Sequence, residues 1–273
     1  MPKAHIENIS MNFSFDLISD LHVETWDQFD WTDQATAPYC VVAGDVARNR
    51  ERLLETLDHL GDCYPGGVFY IDGNDEHKDY LDNLGASYSE LSKDINSLKN
   101  VCYMQSNVII VNGVALLGTN AWWTYDFDPD IDVDTSIQAI QDHHGIDNAS
   151  ATNIMGVAYT DANYMISSVQ KLQTHQEVKA IVLISHTVPA PWIIAHDPDL
   201  TGSWRYNGMG NSHVAAALDQ DTENKIRAWC FGHYHRPVDR EHGGVRYVSN
   251  PRGRGNTDWC QQAYYPRRIT VEV

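Results

Sequence analysis

Positive charge is scarce in this chain. Its 273 residues carry 19 Lys and Arg against 37 Asp and Glu, a formal net charge of −18. Non-specific nucleic-acid binding works by neutralising phosphates with basic side chains, and anionic membranes attract the same residues. Both partner classes are disfavoured, and no Lys/Arg run outlines a basic groove. Cysteine is sparse too. The five residues are Cys40, Cys63, Cys102, Cys230 and Cys260, with no CxxC pair among them. An odd, unclustered set argues against a disulfide framework and against a thiolate zinc site. Cys40, Cys102 and Cys230 lie in or beside apolar runs and read as buried free thiols, which suits a reducing compartment. There is no run of about 18 apolar residues, and MPKAHIENISMNFSF has no apolar stretch of signal-peptide length. No internal repeat or low-complexity linker is present. The expectation is a cytoplasmic protein without a membrane partner, folded as a single domain over 1–273. The sequence does not specify its oligomeric state.

What the chain does have is an alternation of short apolar runs and amphipathic stretches. Residues 13–19, 39–43, 68–71, 180–185 and 228–231 read as strands covered on both faces. Residues 108–111 and 114–117 flank Asn112-Gly113, a hairpin signal. Residues 245–249 and 269–273 read as two more strands. Apolar spacings of three and four predict helices over 50–60, 79–98 and 161–173. The pattern implies a mixed α/β sandwich. Residues 122–156 and 187–211 give no clear assignment, and long irregular loops in compact domains are often functional.

The chemistry-bearing residues lie just past the strand ends. They are Asp20-Leu21-His22, Gly44-Asp45, Gly73-Asn74-Asp75-Glu76, His186 and Gly232-His233-Tyr234-His235. Sites in open α/β sheets gather beyond the carboxyl ends of strands. Glycine before Asp45, Asn74 and His233 lets the backbone turn sharply there. Each piece alone is ordinary. Gly-Asp is usually a turn, and a lone His is more often a satisfied structural residue than a ligand. Five consecutive strand ends presenting Asp, His or Asn are a different matter. Imidazole and carboxylate together suit divalent transition metals, and seven donors suit two ions sharing a bridge.

The series DLH (20–22), GDVAR (44–48), GNDE (73–76), SH (185–186) and GHYH (232–235) resembles the calcineurin-like metallophosphoesterase family. The segments SNPRG (249–253) and GVALLGTNAWW (113–123) also resemble it, so the likeness spans about residues 13–253. It implies an α/β fold, a two-sheet β-sandwich flanked by helices in four α/β/β/α layers. It implies Asp20, His22 and His235 on a first metal, Asn74, His186 and His233 on a second, and Asp45 bridging them. It further implies hydrolysis of a phosphate ester, with a metal-bridging hydroxide attacking phosphorus in line. The ions would be divalent Mn, Fe, Zn or Ni, and the partner a small phosphorylated substrate, either monoester or diester. Two rival readings remain, a catalytically weak or inactive binding protein on the same fold and a nuclease. The acidic charge disfavours the nuclease.

One position departs from the resemblance. The family ordinarily has His after Gly-Asn, where it assists the leaving group or stabilises charge. This chain has Asp75, with His77 two residues on. Asp75 and His77 are therefore the catalytic candidates, and His143, His144, His196 and His213 are alternative imidazoles. An Asp beside two cations is ionised at pH 7, a poor acid that repels phosphate. Arg48, Arg205, Arg252 and Arg254 are candidate phosphate forks. The alternating Asp126, Asp128, Asp130, Asp132 and Asp134 lack the Gly and Glu of a calcium loop and read as a solvated acidic segment. The loop 202–211 could cover a substrate or simply pack on the surface.

Overall fold

The computed structural model describes residues 12–144, 148–257 and 260–273, without the side chains of 144, 148 and 149. The N-terminal stretch 1–11 and the side chain of His144 thus lie outside the described residues. One sheet comprises β1 (Asn12–Ile18), β2 (Tyr39–Ala43), β3 (Gly67–Ile71), β4 (Val101–Tyr103) and β11 (Arg267–Glu272). The second comprises β5 (Asn107–Val111), β6 (Val114–Gly118), β7 (Ala180–Ile184), β8 (Ile226–Phe231), β9 (Val238–His242) and β10 (Val245–Ser249). Their spatial orders are β11-β1-β2-β3-β4 and β5-β6-β7-β8-β10-β9. The helices are α1 (Arg50–Cys63), α2 (Leu84–Ile95), α3 (Val133–His144), α4 (Asn148–Gln173) and the single turn α5 (Trp204–Asn207). No helix among the described residues is long and apolar enough to cross a membrane.

The apolar runs explain the layers. In β1 the alternate residues Phe13, Phe15 and Leu17 face the second sheet, where Leu116, Val182, Ile184 and Cys230 meet them. Ile18 joins the opposite face, packed with Leu53, Leu57 and Leu60 of α1 and Leu91 and Ile95 of α2. The outer face of the second sheet packs Leu117, Ile181, Leu183 and Trp229 against Met165 and Val169 of α4. The central strands of both sheets are thereby buried on both faces, giving the four-layer α/β/β/α sandwich. Truncating Phe15, fully buried between the sheets, costs about 3–5 kcal/mol. The β5–β6 hairpin turns at Asn112 and Gly113, with φ of 50° and 83°, the two positive values that such a turn needs.

Several element boundaries differ from the sequence expectation. The helix expected from 79 begins at Leu84, because the Asn83 side chain accepts from the Ala86 N–H and caps it there. The residues before it form short 3₁₀ turns, Asp75–His77 and Leu81–Asn83. Helix α4 starts well before 161. Its first half buries Ile154 and Ala158 against Trp122, Trp123 and Tyr125, a different cluster from its second half, so no single stripe runs its length. Helix α3 lies within the unassigned 122–156 segment, and Asp132 accepts from the Thr135 N–H at its start. Strand β9, VDREH, pairs only with β10 and is largely exposed, so no apolar run announces it. Cys40 and Cys230 are buried free thiols. Cys102, on the short edge strand β4, is half-buried.

Strands β1, β2 and β3 run parallel, as do β6, β7 and β8. Their carboxyl ends therefore open on one edge of the sandwich, and every motif that follows a strand is delivered there.

Candidate metal centre

The ligating atoms of Asp20, His22, Asp45 and His235 lie within 4.8 Å of one another, and so do those of Asp45, His186 and His233. The two groups share Asp45. Four loops meet to make this cluster, leaving β1, β2, β7 and β8, and a fifth from β3 brings Asn74 Oδ1 to 3.1 Å from His186 Nε2. The structure thus brings together all seven ligand candidates. Asp20, His22, Asp45 and His186 are buried, while His233, His235 and Asn74 are partly exposed and form the mouth.

The turning residues are the candidate ligands themselves. Asp20, His22, Asp45, His233 and His235 have φ of 50°, 42°, 53°, 64° and 59°, the left-handed region that costs a non-glycine residue about 1–2 kcal/mol. Such strain concentrates at functional sites. Of the preceding glycines, Gly44 does have a positive φ, 85°. Gly73 serves a different purpose: a Cβ there would collide with the Asp45 carboxylate and backbone.

Two of the rings, His186 and His233, have one nitrogen committed to a backbone carbonyl and one turned to the cluster. His186 Nδ1 donates to the Ala43 carbonyl at 2.9 Å, which frees Nε2 toward Asp45 Oδ1 at 3.5 Å. His233 Nε2 donates to the Gly208 carbonyl at 3.0 Å, leaving Nδ1 for the cluster. Its ring stacks on Trp123 with centroids 5.7 Å apart. His22 Nε2 and His235 Nε2 approach to 2.9 Å, both pointing at one spot. Bonds from the far nitrogen are what fix the orientation of metal-binding imidazoles. Burial, followed by the neighbouring His235, lowers the His22 pKa to about 4. Burial and His186 lower that of His233 to about 3. Both rings are therefore neutral at pH 7, as ligands must be.

The carboxylates diverge. Burial, with Asp75 and Asp20 adding repulsion, raises Asp45 well above the usual range. Asp20 is held below it, burial being outweighed by the His235 hydrogen bond and the surrounding imidazoles. Asp20 Oδ2 is buried with no hydrogen-bond partner, as is His22 Nδ1. Buried polar atoms are rarely left so. The orphaned oxygen, the crowded ring nitrogens and an all-N/O donor set fit divalent cations.

Glu76, to which the motifs assign no role, is structurally central. Glu76 is buried and accepts four N–H bonds, from Asp45 at 3.2 Å, Val46 at 2.6 Å, Ala47 at 3.3 Å and Gly73 at 2.7 Å. It ties the Asp45 loop to the Asn74 loop. Burial, followed by the charge of Asp45, pushes its pKa up to about 8. The sequence signal was the Glu itself, an acidic residue two places after a candidate ligand with no expected partner.

The two catalytic candidates part company. Asp75 lies at the cluster: its N–H donates to Asp45 Oδ1 at 2.9 Å, and its Oδ2 is 3.3 Å from His22 Nδ1 and bonded to Arg254. Against burial, His22 and Arg254 hold its carboxyl well below the ordinary range. His77 faces the core. Its Nδ1 bonds Ser87 Oγ at 2.7 Å and its Nε2 bonds Asp72 Oδ2 at 2.8 Å, leaving no nitrogen for a substrate. The two residues sit in a 3₁₀ turn, where about 120° per residue sends positions two apart in different directions.

The other candidates lie elsewhere. Arg48 pairs with Asp79 at the surface. Arg205 is exposed beside the Trp204 ring. Arg252 lies 4.0 Å from the centre of the Trp26 ring. His143 lies tilted against the Trp204 ring, His196 bonds Arg240, and His213 bonds Asp126. Loop 202–211 is folded into α5 and supplies the Gly208 carbonyl to His233, so it supports the site from behind.

No family model matches the chain. The uncharacterised protein L509 of Acanthamoeba polyphaga mimivirus is 21% identical over 262 residues, covering 86% of this chain and 89% of that one. The crystal structure of the phosphopantetheinyl hydrolase PptH from Mycobacterium tuberculosis superposes with a TM-score of 0.64 at 17% identity, over 94% of this chain and 95% of that one. The likeness to PptH is one of fold. A hydrolase thus shares this sandwich, and the Asp/His cluster at its strand ends is able to hold metal ions.

Proposed function

We propose that this chain is a metal-dependent phosphoesterase of the calcineurin-like metallophosphoesterase family, with a dinuclear centre on one domain spanning the chain. One observation carries the reading: Asp45 is common to two groups of converging ligand atoms, which is the arrangement a bridging carboxylate requires. Asp20, His22 and His235 complete one group, and His186, His233 and Asn74 the other. Two bound divalent ions would supply Lewis acidity and lower the pKa of a water in the site.

The protein's part is to hold donors in place and set the charge. The Ala43 and Gly208 carbonyls fix the ring directions of His186 and His233. Glu76 clamps the loop that carries Asp45. Asp20 and Asp45 would offset only part of the charge of two divalent ions, so with both bound the mouth would be locally positive in a protein of net charge −18. A small phosphorylated substrate is drawn to such a site, while a long polyanion meets the acidic surface around it.

The test is to load the chelated protein with Mn, Fe, Zn or Ni, count ions by elemental analysis, and screen aryl phosphomonoesters and phosphodiesters. The expected result is two ions per chain and saturable, metal-dependent release of the aryl alcohol. Retention of no metal, or no turnover with any metal on any ester, overturns the reading.

A further inference from the structure

The residues after β10 form a strap beside the loop that leaves β1. Pro251 bridges to Ser19, the Arg252 N–H donates to the Ser19 carbonyl at 3.0 Å, and the Gly253 N–H donates to the Asp20 carbonyl at 2.9 Å. Trp26 Nε1 donates to the Gly253 carbonyl at 3.1 Å, and the Gly255 N–H donates to Thr25 Oγ1 at 3.0 Å. The backbone on both sides of Arg254 is therefore pinned to the loop that carries Asp20 and His22. From this strap the Arg254 guanidinium reaches Asp75 Oδ2, with about a third of the side chain (31%) still open to solvent. The same Asp75 places its N–H on Asp45. Among the described residues, Arg254 is the one Arg or Lys that pairs with any carboxylate of Asp20, Asp45 and Asp75.

We infer that Arg254 is the phosphate-contacting cation of this site, and that Asp75 is the positioning residue that holds it at the mouth of the cluster. The inference rests on the phosphoesterase reading above and answers its open question, the missing family His after Asn74. The Arg254 charge cancels that of Asp75, so the carboxylate does not repel a phosphate. One nitrogen of the guanidinium is bound to Asp75, and a guanidinium carries further N–H donors in a planar fork that suits two phosphoryl oxygens, a geometry that Arg presents and Lys does not.

The exchange has a consequence for substrate choice. A guanidinium keeps its proton throughout the pH range of proteins, so it stabilises charge on the phosphoryl oxygens without protonating the leaving group. Water adds its oxygen to phosphorus and gives up a proton to solvent. The ester P–O bond breaks, and its oxygen departs with the bonding pair as a free anion. Preferred substrates are accordingly phosphate esters of acidic alcohols, and the rate falls steeply as the leaving group becomes more basic.

The experiment compares metal-loaded wild type, Arg254→Ala, Arg254→Lys, Asp75→Asn and the Ala/Asn double variant. It reads kcat/KM over a graded series of aryl phosphates, calorimetric affinity for inorganic phosphate, and metal per chain. Arg254→Ala is expected to lower kcat/KM by about 10²–10³-fold, the usual effect of deleting one charge-stabilising donor. It should also weaken phosphate at least about tenfold while retaining the metals. Lys restores part of each loss, and Asp75→Asn adds little once Arg254 is gone. Unchanged phosphate affinity in Arg254→Ala, or a rate loss that only tracks lost metal, overturns the inference. If the wild type holds metal and phosphate but hydrolyses nothing, the phosphoesterase reading fails. The phosphate affinities of wild type and Arg254→Ala still decide whether Arg254 contacts the anion.

Discussion

Two buried sets of Asp and His lie a few residues apart in this molecule, and they differ in where their polar atoms end. Around His77 both ring nitrogens, and both oxygens of its partner Asp72, are closed on protein partners. Its two nitrogens meet Ser87 and Asp72, and Asp72 also takes Tyr103 Oη at 2.6 Å and Asn120 Nδ2 at 2.8 Å. Around Asp45 the atoms converge without closing. Two ring nitrogens face each other, Asp20 Oδ2 has no partner, and five residues accept a left-handed backbone. Both sets use Asp and His, and the inner members of the second, Asp20, His22, Asp45 and His186, are as buried as His77 and Asp72. The difference is satisfaction: His77 and Asp72 close on protein atoms, while the second set leaves Asp20 Oδ2 without a partner and gathers donor atoms able to hold a metal ion.

The comparison can be broken most directly at Asp45. Asp45→Asn removes the charge shared by the two ligand groups, and we expect the chain to hold fewer than two ions and to lose more than about 10²-fold in ester hydrolysis. Circular dichroism should show the fold intact. Full metal content in this variant would mean that the shared position has no special role. His77→Ala should do the reverse. It leaves Asp72 buried without its main partner and should cost about 3–5 kcal/mol in denaturant unfolding, while the folded fraction keeps its metal. Metal loss out of proportion to unfolding would put His77 back among the functional residues.

Glu76→Gln tests the link between the two sets of loops. An amide nitrogen directed at N–H donors cannot accept from them, so the Asp45 and Asn74 loops loosen. The expected loss is about 10–100-fold in metal affinity, as for other residues that orient ligands, measured by competition with a chelator. The smallest effect belongs to Arg48→Ala. Its pair with Asp79 is exposed, the side chains being 47% and 60% accessible, and such pairs contribute about 0–1 kcal/mol. Phosphate affinity should not change, and a clear loss would move Arg48 from the surface into substrate binding.

The sequence by itself determined the layers of this protein and the addresses of its cluster. Apolar runs such as AIVLI and YCVVA are too short for helices and too continuous for half-exposed strands, so they had to be covered on both faces. A residue placed just past such a strand lies at the sheet's edge whatever the rest of the chain does. That is why Asp20, Asp45, His186, His233 and His235 could be read as neighbours without coordinates. Tertiary structure decided what depends on direction and on distant partners. Nothing local says that His77 points into the core while Asp75 points to the cluster, since the spacing of two separates their directions but does not say which one faces Asp72 and Ser87 and which faces Asp45. The double cluster under α4 was hidden for the same reason, since it is stabilised by packing with residues far away in the chain. The pairing of Asp75 with Arg254, 179 positions apart, is the clearest case. A charge in a sequence has no partner until the fold excludes water from around it, and only then does burial compel one carboxylate to meet one guanidinium.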